Sequence, residues 1–189
     1  MDFSNGYEEH FAEYINTRSD SINVPEVKEW ARRLPVGSRV LDLACGTGFP
    51  ITNQLVLAGH QVFAIDASAA MLGQLKKRYP AVNGKCEAVE HSDFFQQKYH
   101  GILSIGLVFL LSRSSQILLL EKVSQALETE GKFLFTAPVE RGSWSDTITG
   151  RESISLGIDE YEKQLGLAGL KLSKAFVDQY GNNYYGCEK

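Results

Sequence analysis

The stretch that decides the fold is residues 40–50, Val-Leu-Asp-Leu-Ala-Cys-Gly-Thr-Gly-Phe-Pro. An apolar run containing Asp42 leads into a turn in which Gly46 and Gly48 flank Thr47, and a helix then begins. Because glycine has no Cβ, such a turn lets the backbone approach a ligand closely. The N-terminus of the helix adds unpaired N–H groups that bind polar or anionic atoms. The stretch therefore predicts a strand, a tight loop and a helix that together hold part of a ligand. The buried Asp42 needs donors, and we expect them from the N–H groups of the glycine loop.

A second feature, Asp66, lies twenty residues after Gly46, at the end of the next apolar run. A carboxylate at a strand end can accept charge-assisted hydrogen bonds from both hydroxyls of a ribose. Its alternative role is to cap the helix that follows, a role that Ser68 can also fill. We favour ribose binding, so that the glycine turn and Asp66 together predict a ligand that carries a nucleoside.

Outward from residues 40–50, the sequence alternates between the periods of strands and helices. Apolar spacing and turn residues predict helices over 6–18, 23–34 with Asn23 as cap, 50–58, 68–79, 115–129, and through Tyr161 and Leu165. They predict strands over 39–45, 61–66, 85–90, 101–106, 132–137, 170–178 and 183–188. The last two strands are close enough to form an antiparallel hairpin. We predict an α/β fold: a seven-stranded, mostly parallel sheet with an antiparallel C-terminal hairpin strand and helices on both faces.

This pattern predicts one domain, residues 1–189, made of an N-terminal helical cap, 1–36, and a Rossmann-like core, 37–189. In such sheets ligands bind beyond the carboxyl ends of the strands. The loops to examine are 45–49, 66–68, 90–94, 106–113 and 138–157.

Bulk properties narrow the functional class. The chain has 189 residues and a formal net charge of -4, which does not suit a nucleic-acid partner. Its three cysteines include no CxxC pair, which argues against a disulfide framework or a zinc site. The first residues lack the charged and apolar regions of a signal peptide, so we expect none, and the longest apolar run, 102–111, is too short to span a membrane. We expect a cytoplasmic protein, monomeric or homodimeric, with neither nucleic-acid nor membrane partners and no bound metal.

The absence of a third glycine from the turn narrows the identity of the nucleoside ligand. A dinucleotide-binding turn would have a third glycine where this chain has Ile51, which disfavours an NAD-dependent oxidoreductase. Residues 40–48 instead resemble the first motif of class I S-adenosylmethionine-dependent methyltransferases. Residues 62–72, Val-Phe-Ala-Ile-Asp-Ala-Ser-Ala-Ala-Met-Leu, resemble the ribose-binding strand end and helix start of that family. The resemblance covers about residues 7–188 in element order and is motif-specific over 40–72.

The resemblance implies a Rossmann-like methyltransferase fold with S-adenosyl-L-methionine as cofactor and S-adenosyl-L-homocysteine as product. It implies that the turn with Ala44, Gly46 and Gly48 holds the amino-acid part of the cofactor and that Asp66 holds the ribose. Ala67 and Met71 would flank the ribose and adenine, although Met71 fits the core equally well.

At the third strand end, the resemblance implies an acid that binds the adenine amino group. Glu90 is nearest the predicted strand end and is preferred to Asp93, which has an alternative place in the turn. His91 is interpreted as a partly exposed loop residue, with a contact from its backbone N–H to adenine as the alternative. Gly106 would lie beside the methionine part of the cofactor.

Two departures from the family concern the fourth strand. Tyr99-His100 stands where a Phe-Asp pair often opens this strand. Gly106-Leu107-Val108-Phe109 replaces the Asn/Asp-Pro-Pro-Tyr of relatives that methylate base or amide nitrogens. Together with the acidic charge, this replacement favours a small-molecule acceptor over nucleic acid.

Acceptor contacts are predicted in the first helix and in the long loop 139–157. The helix brings Tyr7, His10, Phe11, Tyr14 and Arg18 to nearby positions, with core packing of the aromatic residues as the alternative. Tyr14 is the best single cofactor or substrate contact, and Arg18 is either a partner for a carboxylate or a solvated helix end. The loop, with Trp144, is interpreted as a lid rather than a mobile surface loop.

Methyl transfer from a sulfonium is an in-line displacement in which orientation supplies much of the catalysis. A general base is needed only if the acceptor must lose a proton, and the candidates are His10, Glu140 and Asp146. The alternative to an enzyme is a non-catalytic S-adenosylmethionine-binding domain that acts as a sensor or partner subunit.

Overall fold

The computed structural model describes residues 2–17 and 22–189, so Arg18 lies outside the described residues. The helices are α1 (Phe11–Thr17), α2 (Val24–Arg32), α3 (Ile51–Leu57), α4 (Ala69–Arg78), α5 (Arg113–Ala126) and α6 (Ile158–Leu167). The strands are β1 (Arg39–Leu43), β2 (Gln61–Asp66), β3 (Asn83–Cys86), β4 (Tyr99–Ser104), β5 (Leu127–Thr136), β6 (Gly142–Ser145), β7 (Glu152–Ser155), β8 (Lys171–Val177) and β9 (Asn183–Glu188). Short 3₁₀ turns occupy Phe94–Gln96 and Val108–Leu110.

Seven strands form one sheet in the order β3-β2-β1-β4-β5-β9-β8. Strands β3, β2, β1, β4 and β5 run parallel to one another, whereas β9 runs antiparallel to both β5 and β8. The predicted mostly parallel sheet with an antiparallel C-terminal hairpin is therefore confirmed. Strand order reverses between β1 and β4, which places a ligand crevice at their carboxyl ends.

Both faces of the sheet are buried, as expected for a parallel sheet covered by helices. Along β1, Leu41 and Leu43 pack into one hydrophobic cluster with α5 and α6, while Val40 belongs to a second cluster with α2 and α3. Alternate residues of a strand point to opposite faces, so this one apolar strand joins the two layers. The strand's loop is thereby fixed from both sides. No helix of residues 2–17 or 22–189 combines the length and hydropathy needed to cross a bilayer.

The N-terminal region differs from the prediction. The first helix begins at Phe11 rather than at residue 6, because the Asp2 carboxylate accepts hydrogen bonds from the amides of Ser4 and Gly6 and Gly6 has a φ of 89°. Asn23 precedes α2, but its side-chain oxygen accepts the Tyr184 hydroxyl and does not cap the helix.

Two strand boundaries were also wrong. The third strand ends at Cys86, not at residue 90, because the amides of His91 and Ser92 both donate to the Ala88 carbonyl and turn the chain. The fifth strand begins at Leu127 rather than at residue 132, where Leu127 pairs with Tyr99. The loop 139–157 contains a hairpin, β6–β7, which the sequence analysis did not predict.

Candidate active site

A cavity of about 720 Å³ opens at the carboxyl ends of the parallel strands. The loops after β1, β2, β3, β4 and β5 all contribute to its lining, as the topology requires. The predicted site residues that line it are Tyr14, Ala44, Gly46, Asp66, Ala67, Met71, Glu90, Gly106 and Asp146. Gly48, His91, His10 and Glu140 lie outside the lining.

The turn after β1 has a left-handed backbone. Ala44 and Gly46 have φ values of 58° and 56°, and both line the cavity. A Cβ on Gly46 would lie 3.2 Å from the Tyr14 hydroxyl, so the tyrosine stands directly against the turn. Gly48 does not line the cavity, and a Cβ there would meet the Tyr79 ring at 3.0 Å and Leu75 at 3.1 Å. Gly48 therefore permits close packing against α4.

The buried Asp42 finds a donor in α3 rather than in the two glycines. The Thr52 hydroxyl donates to Asp42 Oδ2 at 2.6 Å. The amide of Gly46 donates to Asp66, and that of Gly48 donates to the Cys45 carbonyl. Asp42 consequently fixes the strand to the helix that follows it.

Asp66 connects the first two strand-end loops. Its Oδ2 accepts the Gly46 amide at 2.7 Å, and its Oδ1 accepts the Ser68 amide at 2.8 Å. The Ser68 hydroxyl caps α4 by accepting the Met71 amide at 3.1 Å, so the alternative role of Asp66 as helix cap is filled by Ser68. Burial raises the pKa of Asp66 to about 6. The structure thus holds a carboxylate in the cavity with its position set by two backbone amides.

The loop after β3 presents two acids, Glu87 and Glu90, to the cavity. The Ser92 hydroxyl donates to Glu87 Oε1 at 2.6 Å. Lys122 of α5 donates to the carbonyls of Val89 and Glu90 at 2.5 and 3.0 Å. The loop is therefore fixed by a hydrogen bond between two of its own residues and by two hydrogen bonds from α5. Glu87 was missed because the strand was predicted to continue past Cys86.

The other two predicted residues of this loop point elsewhere. Asp93 is bonded to Lys85 at 2.6 Å, and this hydrogen bond lowers the pKa of Asp93 to about 2. The backbone N–H of His91 donates to the Ala88 carbonyl at 3.1 Å, and its ring packs edge-on against Phe3 at 4.6 Å between centroids. Glu90 is thus the better placed of the two acids proposed for adenine.

Gly106 and Met71 form further parts of the wall. The Gly106 amide donates to Thr136 Oγ1 at 2.8 Å, and the place where its Cβ would stand is empty to 4 Å. Met71 is only 2% exposed and also lines the cavity, so core packing does not exclude the predicted ligand contact. We call the residues 44–48, 66–71, 87–90 and 105–106 the strand-end wall.

Residues 2–17 and the hairpin β6–β7 cover the other side of the cavity, and we call these two segments the roof. The Tyr7 hydroxyl donates to Asp146 Oδ2 at 3.1 Å, which joins the segments. Asp146 Oδ1 accepts the amides of Ile148 and Thr149 at 3.0 and 2.8 Å. The Trp144 and Phe109 rings lie 5.6 Å apart, so the hairpin also contacts the loop after β4.

Two carboxylates of the roof make contacts that were not predicted. Glu8 accepts the Ser68 hydroxyl at 2.5 Å and the Ala70 amide at 3.1 Å, at the start of α4. Asp2 pairs with Arg151 at 2.7 Å.

Asn5 also lines the cavity, and its Nδ2 is buried without a hydrogen-bond partner among the described residues. Such an atom offers a ligand an unused donor.

The three candidate bases now differ in position. His10 faces Glu13 at 3.2 Å on the surface of α1, and Glu140 is exposed. Asp146 lines the cavity beside Tyr7. Within the described ranges, no cluster of three or more His, Cys, Asp or Glu side chains could hold a metal ion.

Comparison with known proteins agrees with this geometry. The family model described as a methyltransferase domain matches residues 40–131, whereas comparison of the sequence with curated proteins gives no match. A TehB-like S-adenosylmethionine-dependent methyltransferase from Corynebacterium glutamicum has a TM-score of 0.73 at 17% identity, covering 98% of this chain and 97% of that one. An S-adenosylmethionine-dependent methyltransferase from Clostridium acetobutylicum has a TM-score of 0.74 at 16% identity, covering 96% and 98%.

A third solved structure is 1,6-didemethyltoxoflavin-N1-methyltransferase from Burkholderia thailandensis, with bound 1,6-didemethyltoxoflavin and S-adenosylhomocysteine. Its TM-score is 0.71 at 16% identity, and the match covers 98% of this chain and 90% of that one. At these identities the solved structures establish the shared fold, while the family model adds the sequence match over the glycine turn and Asp66. The shared fold and the motif match agree with the resemblance to class I S-adenosylmethionine-dependent methyltransferases that the sequence predicts.

Proposed function

We propose that this enzyme transfers the methyl group of S-adenosylmethionine to a small-molecule acceptor bound between the strand-end wall and the roof. The observation that carries the proposal is Asp66, a carboxylate that lines the cavity and is fixed by the amides of Gly46 and Ser68. Its position at the end of β2 suits the two hydroxyls of a ribose.

The remaining cofactor contacts follow from the position of Asp66. The left-handed turn with Ala44 and Gly46, together with Gly106, is proposed to hold the amino-acid part of the cofactor. Met71 and the loop 87–90 are proposed to enclose the adenine, with Glu90 as the acid nearest its amino group. Gly48 and His91, which lie outside the lining, are not included.

The bound cofactor supplies an electrophilic methyl group on a sulfonium sulfur. The protein's part is to orient the acceptor in line with the methyl–sulfur bond and to keep water out, which can supply roughly 7–11 kcal/mol of the barrier. The roof serves both purposes, because Tyr7 and Asp146 close the cavity from two separate segments. Asp146 is the candidate base, since it lines the cavity and its Oδ2 accepts the Tyr7 hydroxyl.

A small acceptor is supported by the volume of the cavity, about 720 Å³, which the cofactor and the acceptor would share. The Burkholderia protein with the same fold contains 1,6-didemethyltoxoflavin together with S-adenosylhomocysteine. We further propose that residues 1–189 act as one domain, with 1–36 as a cap on the core 37–189. The free thiols of Cys45, Cys86 and Cys187 support a cytoplasmic location.

Two measurements test the proposed function. Calorimetry should show binding of S-adenosylmethionine and none of NAD. A screen of small acceptors should then release S-adenosylhomocysteine. Failure to bind the cofactor would contradict the site assignment. Tight cofactor binding without turnover on any acceptor class would instead support the non-catalytic sensor or partner subunit.

A further inference from the structure

The charge of the cavity is strongly one-sided. The lining includes five carboxylates, those of Asp2, Asp66, Glu87, Glu90 and Asp146. Among the lining residues that the structure describes there is no Lys, Arg or His. Asp2 is paired with Arg151 at 2.7 Å and Glu87 with Lys85 at 3.9 Å, which leaves Asp66, Glu90 and Asp146 without an ion pair among the described residues. An acceptor with a carboxylate or phosphate beside Asp146 would meet repulsion and no compensating cation among the described lining residues.

The acceptor side of this cavity combines aromatic rings with one acid. Tyr7, Phe109 and Trp144 line it, and the Trp144 ring lies 5.6 Å from the Phe109 ring. Asp146 stands among them, with Oδ1 taken by backbone amides and Oδ2 accepting the Tyr7 hydroxyl. Aromatic faces attract cations, and a carboxylate oxygen with a remaining lone pair accepts a charge-assisted hydrogen bond. This combination suits an ammonium group on an apolar body.

We propose that the acceptor is an aliphatic amine with an apolar or aromatic body and that the cavity discriminates against anionic acceptors. This inference rests on the proposed function and adds the chemical class of the substrate to it.

The chemistry of the step favours an amine over an alcohol. The ammonium first loses a proton, to Asp146 or to water, and its lone pair then forms the nitrogen–carbon bond. The carbon–sulfur bond breaks with its electrons remaining on sulfur, which becomes neutral, and the nitrogen becomes a methylated ammonium. The positive charge therefore moves from sulfur to nitrogen and stays near the same carboxylates. An alcohol that ionised before attack would instead place an oxyanion beside them.

The test compares matched ligands on protein saturated with S-adenosylhomocysteine, so that no reaction occurs. Three bodies are used: hexyl, benzyl and 4-hydroxyphenylethyl, as hexylamine, benzylamine and tyramine. Each amine is compared with the corresponding alcohol and carboxylate by ligand-observed NMR and calorimetry. We expect at least one amine to bind about tenfold more tightly than its carboxylate, with the alcohol between them. Equal or tighter binding of the carboxylates, or no binding by any amine, would overturn the proposal.

Variants locate the effect within the roof. Asp146→Asn should reduce amine binding about tenfold while changing alcohol binding less than twofold. Glu152→Gln is the matched control, because Glu152 is exposed on the same hairpin and lies outside the cavity lining. Trp144→Leu provides a second variant should Asp146→Asn unfold the hairpin, and it should also weaken the amine more than the alcohol. An amine preference that neither variant reduces would overturn the assignment.

Cofactor binding is measured separately, so the two proposals can fail separately. Loss of S-adenosylmethionine binding to the wild type contradicts the proposed function itself. Cofactor binding that persists while every amine fails contradicts only the acceptor class.

Discussion

The strand-end wall and the roof enclose one cavity but are held in different ways. In the wall, Asp66 accepts hydrogen bonds from two backbone amides, and each donor lies within about twenty residues of Asp66 in the sequence. In the roof, Tyr7 and Asp146 are joined by a side-chain hydrogen bond across 139 residues, and Asp2 pairs with Arg151. Backbone amides in adjacent loops of a buried sheet have few alternative positions, whereas side-chain contacts between two surface segments can open without disturbing the core.

The largest expected effect is in the wall. Asp66→Ala removes the carboxylate that organises the turn and the proposed ribose contact. Affinity for S-adenosylmethionine should fall about 100-fold, which corresponds to ~2.7 kcal/mol. Calorimetry measures this change, with Glu121→Ala, on the exposed side of α5, as the control carboxylate. Undiminished binding to the Asp66 variant would refute the ribose assignment.

A second effect of Asp66 depends on pH. Burial raises its pKa to about 6 from the ordinary value of 3.8. Ribose hydroxyls donate better to the ionised form, so adenosine should bind about tenfold more tightly at pH 7 than at pH 5. Adenosine is the chosen ligand because it has no group that titrates in this window. Asp66→Asn should abolish the dependence, and an unchanged slope in that variant would assign it to another group.

The raised pKa of Asp66 also makes the stability of the free protein depend on pH, in the opposite direction to adenosine binding. Between about pH 4 and 6 the folded state keeps a proton on Asp66 that the unfolded chain has released. The contribution of Asp66 to the free energy of unfolding therefore decreases as pH rises through this window. Denaturant unfolding of the wild type and of Asp66→Asn at both ends of the window would measure the difference.

A smaller effect is expected in the roof. Tyr7→Phe removes the hydroxyl that bonds to Asp146, which should cost about 1 kcal/mol of stability. Amide hydrogen exchange over 142–155 should become faster, while the affinity for S-adenosylmethionine changes less than about twofold. Exchange that stays at the wild-type rate would mean that the hairpin is held by its other contacts, such as that of Trp144 with Phe109.

The smallest effect is expected for the ion pair at the edge of the roof. Asp2 and Arg151 are both partly exposed, with side-chain exposures of 35% and 39%, so water screens their attraction. Asp2→Asn should cost less than ~0.5 kcal/mol. Thermal unfolding measures it against Tyr7→Phe, and a loss as large as that of the tyrosine variant would show that the contacts of the Asp2 carboxylate, with Arg151 and with the amides of Ser4 and Gly6, stabilise the roof as much as the hydroxyl does.

The sequence was sufficient for the wall because the wall is local. Residues 40–50 and 61–72 contain the strand, the glycine turn and Asp66 in one continuous pattern, and the structure brings Ala44, Gly46 and Asp66 together as predicted. The exception is Gly48, for which sequence spacing could not distinguish contact with a ligand from contact with Tyr79 of the adjacent helix. Periodicity predicted seven strands, but their ends depended on turns such as the one formed by the Ala88 carbonyl.

The roof could not be derived in the same way. The β6–β7 hairpin carries the polar residues Ser143, Ser145 and Ser153, and no alternation of apolar residues marks it as strand. Glu8 became a partner of α4 only because the fold brings the N-terminal segment to Ser68, 60 residues away. Tyr14 and Trp144 were recognised as candidates, yet their place in the cavity depended on contacts that sequence spacing does not contain.

The long contacts of the roof also impose an order on how the cavity is completed during synthesis. Tyr7 and Asp2 are made about 140 residues or more before their partners Asp146 and Arg151. At about 5–20 residues per second, that interval lasts several seconds or more. During this interval the aromatic side chains of residues 2–17 lack their partners in the hairpin, whereas β1 and β2 can pair long before it ends. A nascent chain can thus present the carboxylate of Asp66 before it possesses a closed acceptor site.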